Sequence, residues 1–313
     1  MIDTAYPRVA EGVALLALIA LLAFCTWPAA GGASERLHAP AEASASADQE
    51  VARIAAYWTP ERMRNTPPLL APGERPDPLA LASFSPVPDV TVPPYLVNGR
   101  IFVRQGKSKG YCSGTAINSP TRRLVLTAGH CVNTGPRGRR GSSAWSRYLE
   151  FVPAYTDGTA PFGTFVARRP EVYAPEDWVR FGNPNFDIGA FLTTPTTPEG
   201  PNLADAVGGG VTIGLDLTRK QTFETFGYPG KVRRLQQCGS PAVGDDPFTY
   251  QAPGPPTVKI RCHWLPGASG GGWLIEGGTV VNGLTSYGRN RDLTHTFGPY
   301  FSKSTVGKVV AGL

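Results

Sequence analysis

A serine set in a glycine-rich turn, Gly267-Ala268-Ser269-Gly270-Gly271, is the feature that most limits what this chain can fold into. It acquires meaning from two strings upstream. Thr127-Ala128-Gly129-His130-Cys131 closes one apolar run, and Asn185-Phe186-Asp187-Ile188-Gly189-Ala190 opens another. A serine hydroxyl is a poor nucleophile near neutral pH and needs an adjacent base. A histidine at a strand end can take that proton and return it, and a buried carboxylate can hold the imidazole in the working tautomer. Glycines around the serine let the N–H groups of Gly267 and Ser269 turn into one pocket, where they can meet a developing oxyanion. The order His, Asp, Ser excludes the α/β-hydrolase architecture, in which the serine comes first. Asp292 and His295 do follow Ser269, but without the strand and helix alternation that such a fold needs.

Each string also has a plain structural reading. The serine could sit in an exposed turn, the histidine could close a strand, and the aspartate could be a turn residue. Asp157, Asp177 and Asp205 rival Asp187 on composition, but none leads into an apolar strand.

The chain does not begin as a globular domain. Residues 12–27 are an uncharged apolar run, preceded by Arg8 and followed by small residues from Ala29 to Ala33. This has the length of a secretory h-region and is short for a membrane span, so residues 1–33 read as a signal peptide and the protein as secreted. Membrane contact arises only if the run is retained. Residues 34–96 read as a pro-segment or linker. Thr59 and Pro60 form a helix start there, and the prolines from Pro67 to Pro94 predict extended, exposed chain open to processing.

Net charge is +6, and residues 1–96 are acidic while the remainder is basic. The densest basic cluster, Arg137-Gly138-Arg139-Arg140, has no interleaved aromatics, so it reads as a solvated loop and not as a nucleic-acid site. With Cys25 removed, four cysteines remain: Cys112, Cys131, Cys238 and Cys262. An even set in an exported protein reads as disulfides. Three pairings exist; the sequence-near pairs Cys112 with Cys131 and Cys238 with Cys262 are favoured, each stabilising by about 3 kcal/mol. The spacing fits no zinc pattern. No metal or other cofactor is implied.

From Val97 onward, short β-rich runs alternate with Gly, Pro, Asn and Asp turns: 100–104, 110–117, 123–128, 147–153, 164–168, 187–192, 221–227, 258–264, 272–275, 279–287 and 296–301. That density predicts an all-β barrel or sandwich over 97–313. A final helical turn is expected within 302–313.

These strings resemble the trypsin/chymotrypsin superfamily of secreted serine endopeptidases. Cys112-Ser113-Gly114-Thr115-Ala116-Ile117 is similar to its cysteine strand, and Ser286-Tyr287-Gly288 resembles the strand that binds substrate backbone. Trp58-Thr59-Pro60-Glu61-Arg62 is similar to pro-regions of the bacterial V8-like (glutamyl) branch. The resemblance implies two antiparallel six-stranded β-barrels with the site in the cleft between them. It implies a catalytic set of His130, Asp187 and Ser269, oxyanion donors on Gly267 and Ser269, and a monomer acting on proteins or peptides. A non-catalytic binding protein on the same fold is the alternative.

Two departures stand out. Ala268 replaces the aspartate that captures a new N-terminus in the animal enzymes, so activation must proceed otherwise; the pro-segment would cover the cleft or assist folding. Six residues before the serine, at the base of the specificity pocket, stands His263. It does not support a Lys/Arg preference. It could attract an acidic side chain, or it could be a structural residue packed on Trp264.

Overall fold

A computed structural model describes residues 35–41, 46–72, 83–136, 142–289 and 292–313. The expected signal peptide, residues 34, 42–45 and 73–82 of the segment that follows it, and the Arg137 to Arg140 cluster lie outside the described residues. Among the described residues, no helix is long and apolar enough to cross a membrane.

The chain is all-β, built on two sheets that are antiparallel except where Thr212–Ile213 runs parallel to Val280–Leu284. Strand Asn98–Gln105 turns at Gly106 into Ser108–Ala116, with Gln105 opposite Ser108. That two-residue loop needs a left-handed residue, and Gly106 supplies it at φ +60°. The first sheet runs in the order Arg36–His38, Val172–Pro175, Gly189–Leu192, Leu124–Thr127, Ser108–Ala116, Asn98–Gln105, Arg147–Pro153, Phe165–Ala167, Thr194–Pro195. The second runs Thr212–Ile213, Val280–Leu284, Gly272–Ile275, Thr222–Gly227, Gln236–Asp245, Val258–Ile260, Asp292–Gly298, Tyr287–Arg289, with Ser85–Pro86 beside Gln236–Asp245. Short edge strands such as Thr194–Pro195 and Thr212–Ile213 bring each sheet to nine strands. The apolar faces of Ile101, Phe102, Val125 and Phe191 in one sheet, and of Phe223, Ile260 and Trp273 in the other, are removed from water.

Both favoured cysteine pairs are bonded. Cys112–Cys131 ties strand Ser108–Ala116 to the helical turn Gly129–Val132, and Cys238–Cys262 closes a loop of the second sheet.

Two expectations need correction. The proline-rich stretch after Pro67 is not uniformly exposed: Ala71, Val87 and Leu96 are buried, and Ser85 and Pro86 pair with Gln237 and Gln236. Proline is compatible with an edge strand, where its missing N–H costs no ladder bond. The segment before Val97 is also not a mere linker. Arg36–His38 joins the first sheet beside Val172–Pro175, and helix Ala47–Tyr57 packs on Arg147–Pro153 and Phe165–Ala167. That helix carries a capping box in which Ser46 Oγ accepts the Gln49 N–H and Gln49 reaches back to the Ser46 N–H.

Glu150, in the middle of strand Arg147–Pro153, is 1% exposed, and its Oε2 has no hydrogen-bond partner. Burial pushes its carboxyl from the usual 4.5 up to about 8, opposed by a hydrogen bond with Thr164. The folded protein therefore holds a proton there that the unfolded chain releases near 4.5. The associated stability is full below that pH and is lost as pH rises towards 8. In denaturant unfolding, Glu150→Gln is expected to gain stability relative to the parent between pH 5 and pH 8. A constant difference across that window would contradict the assignment.

Candidate active site

The site lies where the two sheets meet. Strand Leu124–Thr127 delivers the turn Gly129–Val132, which carries His130. Gly129 is required there, since a Cβ would stand 2.8 Å from the Trp178 ring and 2.9 Å from Asp187 Oδ1. The short turn Pro184–Phe186, capped by the Asn183 side chain, places Asp187 just before strand Gly189–Leu192.

Asp187 is 2% exposed and accepts three hydrogen bonds. His130 donates its backbone N–H to Oδ1 at 2.7 Å, and its Nδ1 lies 2.8 Å from Oδ2. Ser286 Oγ donates to Oδ2 at 2.5 Å. A carboxylate removed from water is costly unless so partnered. The bond at Nδ1 orients the imidazole and places the N–H on that nitrogen. Its Nε2 is buried and has no partner among the described residues, which leaves it able to accept a proton. The rival aspartates are engaged elsewhere: Asp205 pairs with Arg122 and Asp157 with Arg234. The Cys112 and Cys131 sulfurs close to His130 belong to the disulfide and offer no thiolate to a metal.

Ser269 sits between the sheets. Its carbonyl accepts the Ser113 N–H at 2.8 Å from one side, and the next residue, Gly270, donates its N–H to Thr285 O at 2.7 Å on the other. Gly267 and Gly270 are both left-handed, with φ +97° and +83°. A Cβ on Gly267 would lie 2.5 Å from the Tyr111 ring and 2.6 Å from the Tyr228 carbonyl. Ser113 Oγ locks the turn, donating to Gly267 O at 2.9 Å and accepting the Tyr228 N–H at 2.9 Å. The N–H groups of Gly267 and Ser269 make no hydrogen bond to another described residue.

A cleft of about 740 Å³ opens from Asp187 along Ser286, Tyr287 and Gly288, and is walled by Trp178, Phe248 and Arg289. Tyr287 OH and the Arg289 guanidinium both converge on the buried Asp246. Burial, with Asp246 as acceptor, raises the Tyr287 phenol well above its ordinary range, so it remains a donor. His263 is not among the residues lining this cleft. It is 7% exposed beside the Cys238–Cys262 disulfide, with its backbone N–H donating to Ser83 Oγ at 2.7 Å, while Trp264 stacks on Phe84. Sequence reading missed Trp178, which tilts beside the His130 ring at 6.2 Å and donates Nε1 to Asn133 O. A signal existed: Glu176 and Asp177 followed by Gly182 mark a short helix with an acidic first turn and a left-handed cap.

No family model matches the sequence, and no curated protein does. Solved structures do. Protease Anisep from Arthrobacter nicotinovorans is 32% identical, with a TM-score of 0.58 over 66% of this chain and 90% of that one. A thermostable serine protease, AL20, from an extremophilic microorganism is 27% identical, with a TM-score of 0.60 over 68% and 95%. A Glu endopeptidase shares the fold at 20% identity and a TM-score of 0.57, over 73% and 95%. The chain therefore has the two-sheet trypsin-like fold, and it belongs to the trypsin/chymotrypsin superfamily of serine proteases. It is a hydrolase of that class.

Gly267→Ala should lower the thermal midpoint and cut peptide hydrolysis by at least about 10²-fold, because the added methyl meets the Tyr111 ring and the Tyr228 carbonyl and shifts the turn that carries Ser269. Wild-type activity in this variant would show that the turn tolerates a side chain.

Proposed function

We propose that this protein is a secreted endopeptidase that cleaves peptide bonds through an acyl-enzyme on Ser269. The observation that carries the reading is the Asp187 carboxylate, which holds the His130 imidazole from the Nδ1 side while Nε2 is left unpartnered. In this mechanism, His130 Nε2 takes the Ser269 hydroxyl proton as Oγ attacks the substrate carbonyl. The tetrahedral oxyanion is met by the N–H groups of Gly267 and Ser269. His130 then gives the proton to the departing amine. Water repeats the sequence on the ester, with the same base. Asp187 keeps its charge throughout and stabilises the imidazolium.

The substrate's backbone on the acyl side runs along Ser286, Tyr287 and Gly288, in a cleft whose aromatic walls, Trp178, Phe248 and Tyr287, stand beside the charged Asp187, Arg289 and Asp292. Export is supported by the leader-like run at 12–27 and by two disulfides, which persist in oxidising compartments.

Ser269→Ala and His130→Ala should each reduce kcat on a peptide substrate by at least about 10⁴-fold while leaving the circular dichroism spectrum unchanged. Asp187→Asn should cost about 10⁴-fold, because an amide cannot hold the working tautomer. Appreciable turnover by folded Ser269→Ala would refute the acyl-enzyme.

A further inference from the structure

We propose that residues 66–72 are an inhibitor built into the chain, lying across the active site in the direction opposite to a substrate. The proposal rests on the catalytic reading above and adds to it a docking surface and its occupant.

The segment is delivered by two short helices docked on the first sheet. Trp58, 3% exposed, donates Nε1 to Tyr148 O at 2.6 Å and packs against Phe102. Thr59 then caps helix Pro60–Arg64, whose Met63 is buried. From there the chain reaches Tyr111, immediately before the disulfide cysteine Cys112. Leu69 donates its N–H to Tyr111 O at 2.8 Å, and Tyr111 donates its N–H to Pro67 O at 3.1 Å. This is a parallel bridge centred on Pro68. Pro68 Cβ lies 3.1 Å from where a side chain on Gly267 would begin, so it stands directly before the oxyanion turn. Leu69 packs against Gly110, whose missing Cβ makes the room. Two residues on, Ala71 and Pro72 line the cleft together with Asp187, Trp178 and Ser286. Beneath this path His130 is 1% and Ser269 4% exposed.

The surface receiving the segment is rigid. The Tyr111 ring packs on the buried Arg100 guanidinium, 4.0 Å from its centroid, with Tyr155 and Tyr228 completing an aromatic cage. The Tyr111 hydroxyl donates to the Gly230 carbonyl. Pro67, Pro68 and Pro72 restrict φ in advance, which lowers the entropy lost on ordering the extended segment.

Direction decides what the segment does. Ser269 lies between the Thr285-Ser286 link, which accepts the Gly270 N–H, and the strand of Tyr111, whose Ser113 N–H it accepts. The acyl half of a substrate lies along Ser286, Tyr287 and Gly288, so its leaving half lies on Tyr111. A substrate therefore runs from the Ser286 side to the Tyr111 side. Residues 66–72 run from Tyr111 to Ser286. Their carbonyls and N–H groups are reversed with respect to the oxyanion donors, so the segment crosses before the Gly267 turn and borders the cleft without presenting a bond for attack.

The test compares the full chain with its Leu69→Asp variant, which places a charge against Gly110. The expected result is at least about tenfold faster hydrolysis of an internally quenched peptide by the variant, since apparent affinity scales with the fraction of open cleft. A synthetic peptide of residues 58–72 should inhibit the variant competitively, raising KM without lowering kcat, and should emerge uncut by mass spectrometry. If Leu69→Asp does not fold, Trp58→Ala releases the anchor instead and should show the same gain. Equal rates in parent and variant with no inhibition by the peptide, or rapid cleavage within 66–72, would overturn the proposal. Failure of both proteins to react with a fluorophosphonate would overturn the catalytic reading itself.

Discussion

The structure depends on one buried carboxylate. Asp187 accepts the backbone N–H of His130, lies against its Nδ1, and accepts the hydroxyl of Ser286. Two of these three donors come from the turn that follows a strand of the first sheet, and the third comes from the second sheet. The carboxylate thus fixes the histidine and also joins the two halves of the fold at the point where they meet. Removing any donor would leave a buried negative charge under-satisfied, which costs more than the bond itself contributes. Conformational precision at the site and cohesion between the sheets therefore have the same origin.

A second joint lies beside it. Ser113 reaches from the first sheet to the glycine turn of the second through its main chain and its hydroxyl. The Cys112–Cys131 disulfide fixes the residue just before it to the residue just after His130. The serine turn and the histidine turn are consequently held to one strand, Ser108–Ala116, by covalent and hydrogen bonds. The glycines at 267 and 270 follow from this crowding: the former faces Tyr111 and the Tyr228 carbonyl, and the latter has Thr127 Oγ1 2.0 Å from any added Cβ.

Much of this was legible in the sequence, because the strings that carry chemistry also carry unusual local geometry. The glycine turn, the histidine behind an apolar strand and the aspartate before another each announce a position, and the structure brings His130 and Asp187 into direct contact. Strands with clean turns at both ends, such as Arg147–Pro153 and Gly272–Ile275, were read to the residue. Strand Gln236–Asp245 is not evident from the sequence, because its Gly239, Pro241 and Gly244 look like turn residues; Gly239 and Pro241 stand at exposed positions opposite Glu224 and Thr222, and a bulge between Ala242 and Gly244 takes up the irregularity. From Pro67 to Pro94 the chain reads as extended and exposed, because prolines recur too often for a helix or a sheet interior. Its order comes from long-range anchors, Trp58 on Tyr148 and Leu69 on Tyr111, which leave no local periodic signal. The surroundings of His263 are set in part by Ser83 and by Cys238, which is bonded to the adjacent Cys262; both partners are remote in sequence and leave no local signal.

The most direct measurement is a crystal structure of the protein after reaction with a peptidyl boronate. The account predicts a tetrahedral adduct on Ser269 Oγ, with one boronate oxygen within hydrogen-bond distance of the Gly267 and Ser269 N–H groups and His130 Nε2 facing another. An adduct on a different residue, or on Ser269 with its oxygen turned away from both N–H groups, would contradict it.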